Sequence, residues 1–153
     1  HLYRRASVVR AGGWNTTRKS SQEYDLLYRV ARLGGIAKFD GNAYTQLRLR
    51  DGSITHTNVA ANVRRVLDLR INIFEELSNE TYPFQDELKQ ALFETIRLAY
   101  SYDREYALEM LNRHLPKSFS PNRNSVYAFA YSLFGIDGAD LLSKLGQRLR
   151  GAA

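Results

Sequence analysis

From residue 58 to its end, this chain places its apolar residues at the spacing of an α-helix. The first run reaches Leu77, and later runs repeat the period. At 100° per residue, one broad face of the first run carries Val59, Val63, Val66, Ile73, Phe74 and Leu77. Pro83 marks the start of the second run, the third ends at Pro116, and Gly135 separates the last two, because both residue types commonly mark helix boundaries. Ser120-Pro121 predicts a cap followed by the first residue of the next helix. The pattern predicts a C-terminal bundle of four to five helices over residues 58–153.

A shorter helical pattern precedes the bundle, within residues 21–57. Its apolar positions repeat at i, i+3, i+4 and i+7, and they are Tyr24, Leu27, Tyr28 and Ala31. Ser20 and Glu23 have the spacing of a capping box, and a glycine pair at 34–35 ends the pattern. We expect a short amphipathic helix that carries Arg29 and Arg32 on its outward side.

The period changes over residues 36–57. Leu47 and Leu49 alternate with polar residues, and Asp51-Gly52 favours the tight turn that joins two strands. This stretch predicts a small β-hairpin. The fold class expected is therefore mainly α: a basic N-terminal arm over 1–20, a short helix plus hairpin over 21–57, and a helical bundle over 58–153, forming one globular domain overall.

Residues 1–20 have the composition of an arm. They hold five basic residues and no acidic one, together with a glycine pair and Trp14, the single tryptophan. Such a segment is expected to be flexible by itself and to be held by a partner subunit or a nucleic acid. Trp14 could stack on a base or anchor in a pocket of a neighbouring subunit.

The positive charge is concentrated in the first half of the chain. Residues 1–70 hold 13 Lys and Arg against 5 Asp and Glu, whereas residues 71–153 hold 9 against 11. Seventeen of the 22 basic residues are arginine, whose planar fork binds phosphate through two hydrogen bonds. This distribution favours a nucleic-acid partner over the alternative, the ion-pair-rich surface of a thermophilic protein.

Sequence motifs for catalysis are not found. The chain has no cysteine, its three histidines lack metal-ligand spacing, and its glycines match no phosphate-binding loop or nucleophile elbow. The carboxylates of Glu75, Glu76, Glu80, Asp103, Glu105 and Glu109 lie on amphipathic helices, where solvated faces are the usual outcome. We expect no cofactor, no metal and no enzymatic activity, and His114 is expected to be structural.

The ends and hydropathy of the chain predict a soluble protein. No apolar run approaches the roughly 18–20 residues that span a bilayer, and the first residues lack the apolar stretch of a signal peptide. The chain starts at His1 rather than methionine, which is consistent with trimming or proteolytic maturation.

The helix predicted after residue 58 carries arginines at positions that helix stability does not explain. Arg64 and Arg65 lie on its polar stripe near the N-terminal end, where the helix dipole disfavours cations. They are expected to face phosphate, or else to pair with acids such as Asp68. Arg70 falls within the apolar arc, where it could pair with an acid, extend to solvent or meet phosphate.

These considerations give one set of candidate nucleic-acid-binding residues. The set is Arg4, Arg5, Arg10, Trp14, Arg18, Lys19, Arg29, Arg32, Arg48, Arg50, Arg64 and Arg65.

A basic arm and Arg-rich first helix followed by a near-neutral bundle resembles the major coat proteins of filamentous and rod-shaped viruses of hyperthermophilic archaea. The residues that carry the likeness are Arg4, Arg5, Arg10, Trp14, Arg18, Lys19, Arg29, Arg32, Arg64 and Arg65. The resemblance implies a capsid protein that wraps double-stranded DNA, often A-form, in a helical filament, with itself or a related coat subunit as partner. It also implies a virion location, assembly in the host cytoplasm and, in some members, a surrounding envelope.

Two other functional classes fit parts of the sequence. In a cellular DNA-binding protein of winged-helix type, a helix would enter the major groove and Arg48 and Arg50 would lie on the hairpin wing. In a scaffolding protein, the basic arm would bind only protein. Salt-dependent binding of nucleic acid separates the scaffold from the other two.

Overall fold

The computed structural model describes residues 3–36, 38, 58–80 and 83–151, with side chains to residue 145. This part of the chain forms six helices and no strand. They are α1 (Arg5–Arg10), α2 (Gln22–Arg32), α3 (Val59–Ser78), α4 (Gln85–Tyr100), α5 (Arg104–His114) and α6 (Ser125–Gly151). The prediction of a mainly helical chain is confirmed. Apart from Ile36 and Lys38, the predicted hairpin lies outside the described residues, and so do Arg48 and Arg50.

The chain divides into two compact units, residues 1–69 and residues 70–153, and α3 begins in the first and ends in the second. The net charge also differs between these two units. The first unit holds 12 Lys and Arg against 5 Asp and Glu, a net charge of +7, and the second holds 10 against 11, a net charge of −1. The excess positive charge therefore belongs to one structural unit.

In the first unit, α1 lies along α2 and runs in the same direction. The Tyr3 hydroxyl donates a hydrogen bond to Glu23 Oε1 at 2.9 Å near the start of both helices. Near their ends, Arg10 Nη2 donates to the Leu33 carbonyl at 3.3 Å. The segment that we expected to be a flexible arm thus contains a helix and is docked on α2 through its own side chains.

The face that α2 buries differs from the predicted one. The helix begins at Gln22 after Ser21, which has a left-handed φ of 60° and makes no side-chain cap, so the capping box predicted at Ser20 is wrong. Asp25 and Leu26 are the buried residues of α2, whereas Tyr24 is 60% exposed. The physical reason is that ion pairs draw the polar residue Asp25 inward, an effect that apolar spacing alone does not reveal.

Helix α3 is amphipathic as predicted, but its buried residues are only partly those of the predicted face. Val63, Phe74 and Leu77 are buried as expected. Three residues outside the predicted face are buried in addition, and they are Leu67, Leu69 and Ile71. On the polar side, Arg64, Asn72, Glu75 and Glu76 are exposed.

The core of the second unit is centred on Phe93 of α4, whose side chain is fully buried. Its ring packs against Phe119 and Tyr131, each with a centroid distance of 5.3 Å, and against Tyr127 at 6.5 Å. Helix α5 packs on α4 and begins at a cap in which Asp103 Oδ1 accepts from the Tyr106 amide at 3.2 Å. Aromatic packing therefore joins α4 to the first half of α6.

Helix α6 is broken at Gly135, where the sequence predicts one helix to end before another begins. Gly135 has φ 65° and ψ −164°, a conformation that is essentially restricted to glycine. The start of α6 differs from the prediction, which placed a cap at Ser120. Asn124 is the capping residue instead, because its Oδ1 accepts a hydrogen bond from the Tyr127 amide at 2.8 Å.

Replacing Gly135 with alanine is expected to destabilise the second unit by about 1–3 kcal/mol. A Cβ at this position would meet no atom within 4 Å, so the cost comes from backbone strain rather than from a steric clash. Urea unfolding followed by circular dichroism measures this change in the free energy of unfolding. Ser132→Ala, at an exposed helical position three residues earlier, serves as the control and should change the free energy of unfolding by less than about 0.5 kcal/mol. Equal stability of the Gly135→Ala variant and the parent would contradict the strained conformation.

Candidate nucleic-acid interface

Two of the predicted phosphate-binding arginines are used inside the first unit. Asp25 is 8% exposed, and its Oδ1 is 3.0 Å from Arg18 Nε while its Oδ2 is 2.7 Å from Arg29 Nη2. Arg29 also donates hydrogen bonds to the Ala11 carbonyl and, at 2.9 Å, to the Gly13 carbonyl. We call this arrangement the Arg29 clasp. Because it occupies both guanidinium groups, the outward position expected for Arg29 is wrong.

Most of the other predicted basic residues point outward. The exposed basic side chains in the described part of the first unit are Arg4, Arg5, Arg10, Lys19, Arg32, Lys38 and Arg64. Arg10 makes the single bond to the Leu33 carbonyl noted above, and Arg32 and Arg64 also have interactions of their own. The guanidinium groups of Arg4 and Arg5 make no hydrogen bond or ion pair with any other described residue, so they are available to a ligand.

Tyr3, the residue before Arg4, forms an aromatic pair with Trp14. The rings of Tyr3 and Trp14 meet edge to face, with centroids 6.1 Å apart at 84°. Burial, together with the hydrogen bond to Glu23, raises the pKa of Tyr3 to about 12, so its hydroxyl stays protonated at neutral pH. Trp14 remains 47% exposed. It is thus fixed on one side within its own unit while its free surface can still stack on a base.

The three arginines singled out in α3 have different surroundings. Arg64 is exposed, whereas Arg65 is half-buried and its Nη1 donates to Asn62 Oδ1 at 2.9 Å. Arg70 is also half-buried, and it forms no ion pair with any acid of the described chain. The structure therefore leaves Arg64 better placed than Arg65 to meet an external anion.

The second unit contains a buried polar network that the sequence pattern did not predict. Asp140 is 5% exposed, accepts a hydrogen bond from the Tyr127 hydroxyl at 2.9 Å and lies 3.4 Å from Arg97 Nη1. Burial, reinforced by Asp140, raises the pKa of Tyr127. The position of Asp140, one helical turn after Ile136 on the buried side of α6, is the signal that could have revealed it. The network attaches α6 to α4.

His114 and Glu94 of the second unit also have structural contacts. His114 is buried against the Phe74 ring, with centroids 6.2 Å apart, and its Nδ1 is 3.8 Å from Glu75 Oε1. Burial lowers its pKa, which favours the neutral ring. An open groove of about 690 Å³ lies beside α4, but Glu94 on its wall is bound by Arg97 and Arg123. Of the two other carboxylates in its lining, Asp86 is paired with Lys89, so the groove does not hold two carboxylates free of ion pairs.

Among residues 3–36, 38, 58–80 and 83–151, no three His, Asp or Glu side chains are grouped so that they could bind a metal ion together. None of the described helices has both the length and the hydropathy of a membrane span. Comparisons with protein-family models, curated proteins and solved structures found no match to this chain.

Proposed function

We propose that this chain is a structural nucleic-acid-binding protein, a coat subunit that packages double-stranded DNA in a helical filament through its basic first unit. One observation carries the proposal: the net charge is +7 in the first unit and −1 in the second. A chain that needed positive charge only for solubility would not have to confine it to one unit. A protein that wraps DNA needs one basic side toward phosphate and a neutral side toward its neighbours.

The contacts of the first unit support the proposal because they separate two groups of arginines. Arg18 and Arg29 hold the fold through Asp25, whereas Arg4 and Arg5 lie exposed at the start of α1. Cations at that end of a helix oppose the helix dipole, so helix stability does not account for them. Arginine at such a position can bind phosphate with two hydrogen bonds.

The finer parts of the proposal follow from the resemblance to archaeal viral coat proteins. They are the A-form geometry of the DNA, assembly with itself or a related subunit, a place in the virion and a surrounding envelope. No catalytic step is part of the proposal.

Replacing Arg4 and Arg5 with glutamine should weaken binding to duplex DNA and make it less dependent on salt. Each lost phosphate contact reduces the slope of log K against log salt by about 0.9, so the double variant should lose up to about two units. Fluorescence anisotropy of a labelled duplex at several salt concentrations measures this slope. Both residues are exposed and glutamine is a good helix former, so the fold should be retained.

The matched control removes the same charge from the second unit. Arg113 and Lys117 are exposed, and Arg113→Gln with Lys117→Gln should leave the slope unchanged. If both double variants changed the slope equally, net charge rather than the first unit would govern binding. A preference of more than about 10³ for one DNA sequence would instead favour the winged-helix class. An affinity that does not change with salt concentration would favour a scaffolding protein.

A further inference from the structure

Arg4 and Arg5 precede a serine at the spacing that arginine-directed protein kinases bind. The segment is Arg4-Arg5-Ala6-Ser7-Val8, with arginines three and two residues before the hydroxyl and an apolar residue directly after it. Kinases of this class bind the two guanidinium groups through carboxylates beside their active site, so both arginines must be free of other partners. The structure meets this requirement, because neither guanidinium group has a partner among the described residues.

A second serine follows a basic pair at the same spacing. Ser21 comes after Arg18 and Lys19, which lie three and two residues earlier. Here Arg18 is held by the buried Asp25, with Arg18 Nε 3.0 Å from Asp25 Oδ1. The residue after this serine is the polar Gln22, whose Nε2 donates a hydrogen bond to the Arg18 carbonyl at 2.7 Å. The contacts of the first unit therefore favour the earlier serine as the acceptor of a phosphate.

Helix α1 can open without unfolding the rest of the first unit. Ser7 is half-buried, so a kinase reaches its hydroxyl only when this helix opens. The helix has six residues, none of them buried, and isolated helices shorter than about 12–15 residues are marginal in water. Transient opening of such a short helix costs much less free energy than global unfolding. The Arg29 clasp binds the carbonyls of Ala11 and Gly13, which follow α1, so it can stay in place.

A phosphate on Ser7 would remain in solvent instead of returning to a half-buried position. It carries a charge of about −1.5 to −2 at neutral pH and three acceptor oxygens that need water or arginine. Arg4 and Arg5 lie within three residues of it and have no described partner, whereas Arg10 already donates to the Leu33 carbonyl. A guanidinium group can bind a phosphate through two hydrogen bonds. The modification would therefore occupy the side chains that the proposed function assigns to nucleic-acid phosphate.

We propose that Ser7 is a phosphorylation site for an arginine-directed protein kinase, and that its phosphate competes with the nucleic acid for Arg4 and Arg5. In the transfer, the Ser7 oxygen attacks the γ-phosphorus of a nucleoside triphosphate, the bond between that phosphorus and the bridging oxygen breaks, and the nucleoside diphosphate leaves. The hydroxyl proton passes to the catalytic aspartate of the kinase. The competition rests on the proposed function of the first unit, whereas the modification itself does not.

Incubation of the full chain with Mg-ATP and the catalytic subunit of cyclic-AMP-dependent protein kinase, an arginine-directed enzyme, tests the modification. Intact-mass spectrometry should show the addition of a single phosphate. Ser7→Ala should abolish this addition. Ser21→Asn is the matched control and should leave it unchanged, because asparagine tolerates the left-handed φ of 60° at that position. No phosphate on the parent, or equal incorporation into the Ser7→Ala variant, would overturn the proposal.

Glutamine variants test whether the kinase recognises the two free arginines. Arg4→Gln with Arg5→Gln removes both charge-assisted contacts and should reduce the rate of incorporation at least about ten-fold. Arg113→Gln with Lys117→Gln removes the same charge from exposed positions of the second unit and should leave the rate unchanged. Equal rates for the two double variants would contradict recognition through the arginines before the serine.

Fluorescence anisotropy of a labelled duplex tests the competition separately. The phosphorylated chain should bind the duplex at least about ten-fold more weakly at low salt, with a salt slope lower by up to about two units. Equal affinity of the phosphorylated and unmodified chains would overturn the competition. A parent that bound no duplex would overturn the proposed function and the competition together, while phosphate incorporation at Ser7 would still establish the site. The two failures are therefore distinguishable.

Discussion

Replacing Phe93 with alanine should lower the free energy of unfolding of the second unit by about 3–5 kcal/mol. The ring is fully buried and touches Phe119, Tyr127 and Tyr131, so its removal leaves a cavity that three aromatic side chains cannot easily fill. Urea denaturation followed by circular dichroism measures the loss. Since typical domains are stable by only 5–15 kcal/mol, this variant should unfold well below the temperature of the parent.

Two control variants test whether the effect of Phe93→Ala comes from the loss of buried volume. Phe93→Leu keeps most of the buried volume, so it should lower the free energy of unfolding less than Phe93→Ala does. The difference between the two variants should be about 1–2 kcal/mol or more. Leu98→Ala, on the same helix but 49% exposed, should cost less than about 1 kcal/mol. If Phe93→Ala and Leu98→Ala had the same effect, Phe93 could not be the centre of the core.

Replacing Arg29 with alanine should detach the N-terminal segment from α2. The substitution removes one partner of the buried Asp25 and the donor for two backbone carbonyls, a loss of about 2–4 kcal/mol in local stability. Native-state hydrogen exchange reports it directly, because the amides of Ala11 and Gly13, which bond to the Ser7 and Val8 carbonyls, should lose protection. The amides of α4 provide an internal reference that should not change.

Arg5→Ala is the matched control for the Arg29 clasp. Arg5 is exposed in α1, so its loss should leave the protection of residues 11–13 intact while reducing DNA affinity. Unchanged exchange in the Arg29→Ala variant would mean that the clasp does not hold the segment.

Residues 58–153 were predictable because periodicity and helix boundaries are local properties of a sequence. Helices α4 and α5, and the break at Gly135, are where apolar spacing, proline and glycine put them. Capping was less predictable, since Ser120 and Asn124 are equally good capping residues and tertiary contacts choose between them.

The polar interactions that stabilise both units could not be predicted from the spacing of apolar residues. A helical wheel treats Asp25 and Arg29 as solvent-facing, yet a segment more than ten residues earlier supplies the carbonyls that draw Arg29 inward. For the same reason, a count of arginines does not distinguish Arg18 and Arg29, which hold the fold, from the exposed Arg4 and Arg5. Asp140 was missed because an acid between apolar residues looks like a boundary of the apolar face.

The Arg29 clasp also determines how a partner would meet the N-terminal segment. With the Ala11 and Gly13 carbonyls bound to Arg29, and Tyr3 bound to Glu23, the backbone that carries Arg4, Arg5 and Trp14 is in place before any ligand arrives. The conformational entropy of ordering this segment is lost when the first unit folds and not when a ligand binds. Binding of a phosphate backbone would then be a docking of preformed surfaces rather than folding coupled to binding, and more of each contact's free energy would be retained as affinity.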